Sequence, residues 1–120
     1  MRIAKVLLPG LLLVPAWGLA GKADVVDVKA YETGKSYYTF EITVQNADEG
    51  WKHYADASEI VTPDGQILAT LKYRGPHVHE QPFMRVKARV RIPRGVDEVI
   101  VRASDSEHGY GGKEITVEIP

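Results

Sequence analysis

The chain contains no cysteine. Disulfides cannot staple this fold, and thiolate nucleophiles and thiolate metal ligands are both excluded. A lipoprotein anchor is not expected either, because no residue here could carry the lipid. No charge of one sign dominates: 15 Lys and Arg stand against 16 Asp and Glu. That balance argues against nucleic acid as a partner, which calls for a basic patch or stripe. Long apolar runs are missing as well. The most apolar stretch, near the N-terminus, is interrupted by Pro9 and Gly10 and stopped by Pro15, so it makes a poor membrane span. Beyond it, no segment has a convincing helical period.

What is there begins with the marks of a secretory leader. Arg2 and Lys5 supply a positive start, Val6-Leu7-Leu8 and Leu11-Leu12-Leu13-Val14 a short apolar core, and Gly18-Leu19-Ala20 the small residues of a cleavage site. Cleavage is expected after Ala20, with Ala23 as the alternative. Residues 1–20 then form a signal peptide and 21–120 one domain, periplasmic or secreted, with no membrane span left after cleavage. The formal charge of −1 becomes −3 once Arg2 and Lys5 leave with the leader. About 100 residues can bury a modest core without staples.

The remainder alternates with a period of two, the mark of half-buried strands. Over 36–45, Tyr38, Phe40, Ile42 and Val44 share one face, with Tyr37, Thr39, Glu41, Thr43 and Gln45 on the other. Over 84–92, Met84, Val86, Ala88, Val90 and Ile92 are expected to face inward and Arg85, Lys87, Arg89 and Arg91 outward. Segments 98–103 and 114–119 alternate similarly, and weaker strands are expected at 24–30, 54–61 and 66–73. Thr62-Pro63-Asp64-Gly65 and Ile92-Pro93-Arg94-Gly95 read as tight turns. These features predict an all-β, immunoglobulin-like antiparallel β-sandwich of about seven strands. If each strand runs antiparallel to the one before, the connections 46–53, 74–82 and 105–112 share one end, and the tight turns share the other.

All four histidines fall in or beside those three connections. His77 and His79, two residues apart, project to one side of an extended segment and could chelate one ion. His53 and His108 would join them from neighbouring loops. Neutral imidazoles suit zinc, copper, nickel or iron. Glu80, Asp56 and Asp105 are candidate further ligands or acceptors for imidazole N–H groups. Trp51, Tyr54, Tyr73 and Tyr110 could form an aromatic platform for a sugar ring or peptide, although at least two of the four are expected to plug the end of the core instead. The strip Arg85, Lys87, Arg89, Arg91 reads as a solvated sheet face paired with acids such as Glu41 or Glu118, or as an edge guard. Asp105-Ser106-Glu107-His108 is not a triad signal, since adjacent loop residues rarely reach the geometry and no nucleophile elbow is present.

The blocks Trp51 to Ala57, His77 to Phe83 and His108 to Gly112 resemble those of a family of exported bacterial β-sandwich proteins with no assigned activity. More remotely, His53-Tyr54 and His108-Gly109 resemble the iron-ligating fragments of the superoxide reductase (desulfoferrodoxin) sandwich. That resemblance implies a His cluster at one loop end. Asp105, however, stands where that family has its cysteine ligand, so the reductase activity is not carried over. A similar sandwich in the thiosulfate-carrier proteins implies a noncatalytic, partner-binding role. The sequence therefore predicts an exported sandwich that binds zinc, copper or iron through His77, His79, His108 and His53. The alternative is a noncatalytic module that docks a periplasmic protein or a glycan through the same loops. No residue is assigned a catalytic role.

Overall fold

The computed structural model describes residues 3–7, 22–46, 48 and 50–120. Among these residues nine strands follow in order: β1 (Lys5–Leu7), β2 (Asp24–Gly34), β3 (Tyr37–Gln45), β4 (Ala55–Val61), β5 (Ile67–Lys72), β6 (Phe83–Arg91), β7 (Glu98–Asp105), β8 (Gly109–Tyr110) and β9 (Ile115–Glu118). One sheet has the order β1-β9-β7-β4-β5, with β8 paired to β7, and the other β2-β3-β6. Every strand pair is antiparallel. The seven strands expected from alternation are all present, and β1 and β8 are short additions.

Alternation sets the core. Tyr38, Phe40, Ile42 and Val44 of β3 are all buried, facing Ile60, Val99, Val101, Ile115 and Val117 of the other sheet. Phe40 is fully enclosed, so its truncation to alanine should cost about 3–5 kcal/mol. The two tight turns form as expected. Gly65 and Gly95 take φ of 94° and 93°, and the Gly65 N–H donates to the Thr62 carbonyl at 2.9 Å.

Strand β6 departs from the expected pattern. The register of β3 on β6 slips between Tyr38↔Val90 and Phe40↔Lys87, so an extra residue of β6 is accommodated there. Arg89 takes the left-handed conformation, with φ of 58°. Such a bulge moves every side chain on one side of it to the opposite face. Val90 and Ile92 are buried as predicted, but Met84 and Val86 are exposed while Phe83 is buried. The predicted inward set Met84, Val86, Ala88 is therefore corrected. The predicted outward cationic strip is corrected with it. Arg85 and Lys87 share the Phe83 side and stand opposite the inward-facing Ile42 and Phe40. Arg89 instead lies over the Tyr37 ring at 5.7 Å.

Strand β1 falls within the expected leader. It pairs Lys5↔Glu118, Val6↔Val117 and Leu7↔Thr116, and the Ala4 N–H donates to the Ala30 carbonyl at 2.9 Å. Residues 1, 2 and 8–20 of the expected leader, its cleavage site included, lie outside the described residues.

At the other end the three long connections touch. The Asn46 N–H donates to Gln81 Oε1 at 2.9 Å, and the His77 N–H to Asp48 Oδ2 at 2.6 Å. The Ser106 N–H donates to the Tyr54 carbonyl at 2.7 Å. Gly112 lets the last connection close on β2, since a Cβ there would collide with the Ala23 carbonyl.

Candidate metal site at the loop rim

Asp105, the last residue of β7, organises one half of this rim. Its side chain is fully buried, a position that a carboxylate holds only with several donors around it. Oδ1 accepts the Glu107 and His108 N–H groups at 2.8 and 2.9 Å, which folds the chain into a turn just after the strand. Oδ2 accepts Asn46 Nδ2–H at 2.8 Å and lies 2.7 Å from His53 Nε2. His53 is 6 % exposed. His108 reaches the same carboxylate from its exposed turn, with Nδ1 3.5 Å from Oδ1. The two rings, 55 residues apart in sequence, come to a centroid separation of 5.1 Å.

One ligand atom from each of His53, Glu107 and His108 fits within a mutual spacing of 4.8 Å. Two ligands about 2.1 Å from one ion sit at most about 4.2 Å apart. The set is thus near metal-binding spacing, and the exposed Glu107 and His108 side chains can rotate to close any remaining gap. Two imidazoles and a carboxylate suit zinc, copper or iron.

The other half is built around Asp48, also fully buried at its side chain. Oδ1 accepts Asn46 Nδ2–H at 2.7 Å and the Ala55 N–H at 3.1 Å. Asn46 thus bridges the two buried carboxylates. Oδ2 accepts the backbone N–H of His77, while His77 Nδ1 stands 3.8 Å away, beyond hydrogen-bond range. That ring nitrogen is buried with no hydrogen-bond partner among the described residues. The imidazole is instead stacked flat on Phe83, with centroids 3.9 Å apart and 12° between planes. It behaves as an aromatic plate closing the core.

The sequence-predicted residues therefore separate. His53, His108 and Asp105 come together. His77 occupies the same rim but faces Phe83 and Asp48, and His79 is exposed on the turn beyond it. Glu80 pairs with Arg85 at 3.2 Å. Asp56 lies off the cluster, beside Tyr54, Lys72, Tyr73 and Ser104. Trp51 is 71 % exposed and meets Tyr54 edge-on at 5.7 Å. Tyr110 lies under the Arg102 guanidinium, 4.7 Å away. Burial, followed by the nearby charge of Glu59, pushes its hydroxyl up to about 12. Tyr73 is the aromatic that plugs the core, packed edge-on against Phe83 and hydrogen-bonded to Ser58.

Sequence reasoning missed Asn46, Asp48 and Glu107. Polar residues at strand ends read as ordinary turn formers, and nothing in Asn46-Ala47-Asp48 marks burial. Glu107 carried a usable signal, its place beside His108.

The chain is similar to a protein of Halomicrobium mukohataei named "Putative lipoprotein", 34% identical over 98 residues. The match covers 81% of this chain and 47% of the relative, so the chain spans about half the length of that protein. No family model and no solved structure matches. No helix among the described residues is long and apolar enough to cross a membrane.

Proposed function

We propose that this protein is an exported β-sandwich that binds a divalent transition metal at the rim through His53, His108 and Glu107, with Asp105 orienting both imidazoles. The observation that carries this reading is the pair of rings flanking one buried carboxylate, with Glu107 in reach. An imidazole that donates one N–H to a carboxylate is fixed in ring orientation and made more basic at its other nitrogen. A bound cation would also offset the negative charge that Asp48 and Asp105 concentrate below the rim. The sequence resemblance to the superoxide reductase fragments would put Asp105 at that family's thiolate position. The Asp105 oxygens are engaged by donors, so it serves as an orienting group and thiolate–iron chemistry is not part of the proposal.

Export rests on the leader pattern, with which the name of the lipoprotein relative agrees. Titration calorimetry of the 21–120 protein with zinc and copper tests the metal reading. Binding should be lost in His53→Gln and His108→Gln and retained in a His77→Gln, His79→Gln double variant. Retention in the first two overturns it.

The exposure of Trp51 favours a second reading, a noncatalytic docking role for a protein or glycan through Trp51, Tyr54 and Tyr110. Binding that falls with Trp51→Ala and is indifferent to chelator would select it.

A further inference from the structure

The two sheets leave a seam open along one side of the sandwich. Strand β5 ends one sheet and β6 ends the other, and neither has a strand partner on its outer edge among the described residues. Between them runs a groove of about 410 Å³ lined by Leu71, Lys72, Tyr73, Arg74, Gly75, Pro76, His77, Arg85 and Val86. Three of these residues are cations and none is an acid. Among the described residues Lys72 and Arg74 are exposed and make no ion pair, while Arg85 pairs with the exposed Glu80 at 3.2 Å, donates to the Met84 carbonyl at 2.7 Å and lies over the Phe83 ring at 5.5 Å. The bulge at Arg89 accounts for this composition. By changing which face the first half of β6 presents, it turns Phe83 and Arg85 together to the side facing the other sheet and leaves Val86 exposed at the groove.

Open strand edges carry unpaired backbone donors and acceptors, the requirement for adding a further extended chain. Cations beside such an edge repel a basic strand and attract an acidic one. From these observations we propose that the β5–β6 seam is a docking groove for an extended acidic peptide segment. The peptide would pair with a strand edge through its backbone, seat an apolar side chain against Leu71 and Val86, and place its carboxylates on Lys72, Arg74 and Arg85. The groove shares no residue with the His53–Glu107–His108 cluster, so the proposal stands independently of metal binding.

The test is fluorescence anisotropy of the full protein with a labelled peptide alternating glutamate and valine, set against its lysine–valine counterpart, each with and without chelator. Selective binding of the acidic peptide is expected, weakened about tenfold in the combined Lys72→Gln, Arg74→Gln, Arg85→Gln variant and weakened steadily by salt. Amide exchange should slow in Ile67–Lys72 or Met84–Lys87 when the peptide is present, which separates strand addition from loose charge attraction. Circular dichroism establishes that the triple variant is folded, and the single Arg74→Gln, at an exposed position, should give a smaller loss in the same direction. Absence of binding, equal binding of both peptides, or binding without edge protection overturns the proposal. Self-association that appears only in the triple variant, with no peptide binding by the original protein, also overturns it and makes these cations edge guards.

Discussion

The two halves of the rim use the same residue pair in opposite ways. Around Asp105, the carboxylate takes hydrogen bonds from the chain and holds His53 through its ring nitrogen. Around Asp48, the carboxylate also takes backbone hydrogen bonds, one of them from His77, but the ring of that histidine is turned onto Phe83. An aspartate beside a histidine is thus a candidate binding element in one half and a packing element in the other. What decides is whether the imidazole edge or its face meets the neighbour. Spacing in sequence does not report that choice, so the His-x-His pair, the sharpest local motif in the chain, supplies a stacked ring and an exposed one.

This contrast can be broken by substitution. The largest effect is expected from Asp105→Ala, which strands the Glu107 and His108 N–H groups, Asn46 and His53 at once. A loss of about 3–5 kcal/mol should be seen in urea unfolding, and a loss below 1 kcal/mol would mean that the network is slack. Asp105→Asn keeps the shape and should cost less stability, but it should lower zinc affinity about 10–100-fold by calorimetry. His77→Ala should cost about 1–2 kcal/mol through lost stacking on Phe83, with zinc affinity unchanged. A fall in affinity there would merge the two halves into one site. Zinc affinity should decline as pH falls, because an imidazole must be neutral to bind a metal.

The smallest effect concerns Tyr110. Its folded pKa of about 12 lies above the ordinary value of 10.0. The resulting stabilisation is therefore complete below pH 10 and is lost as pH rises from there toward 12. Burial also raises Tyr73 and the Glu41 carboxylate raises Tyr31, so tyrosinate absorbance should show several late-titrating groups, of which one is lost in Tyr110→Phe.

Much of the fold was legible because alternation reports burial directly. The β3 pattern reads correctly at Tyr38, Phe40, Ile42 and Val44, and parity brings the three long connections to one end. The bulge in β6 was not legible. It turns on Arg89 adopting a positive φ, an uncommon state for a residue with a side chain, and no glycine or asparagine announced it. Half a strand was therefore assigned to the wrong face by a pattern that looked regular. At the rim, the loops carrying the histidines could be named from sequence. The buried Asn46–Asp48–Asp105 network could not, because it is defined by partners up to 59 residues apart.

The most direct test of the central claim is anomalous diffraction from crystals of the 21–120 protein grown with zinc. The account predicts an anomalous peak within bonding distance of His53 and His108, with Asp105 still hydrogen-bonded behind them. A peak on His77 and His79, with the first pair unoccupied, would contradict it.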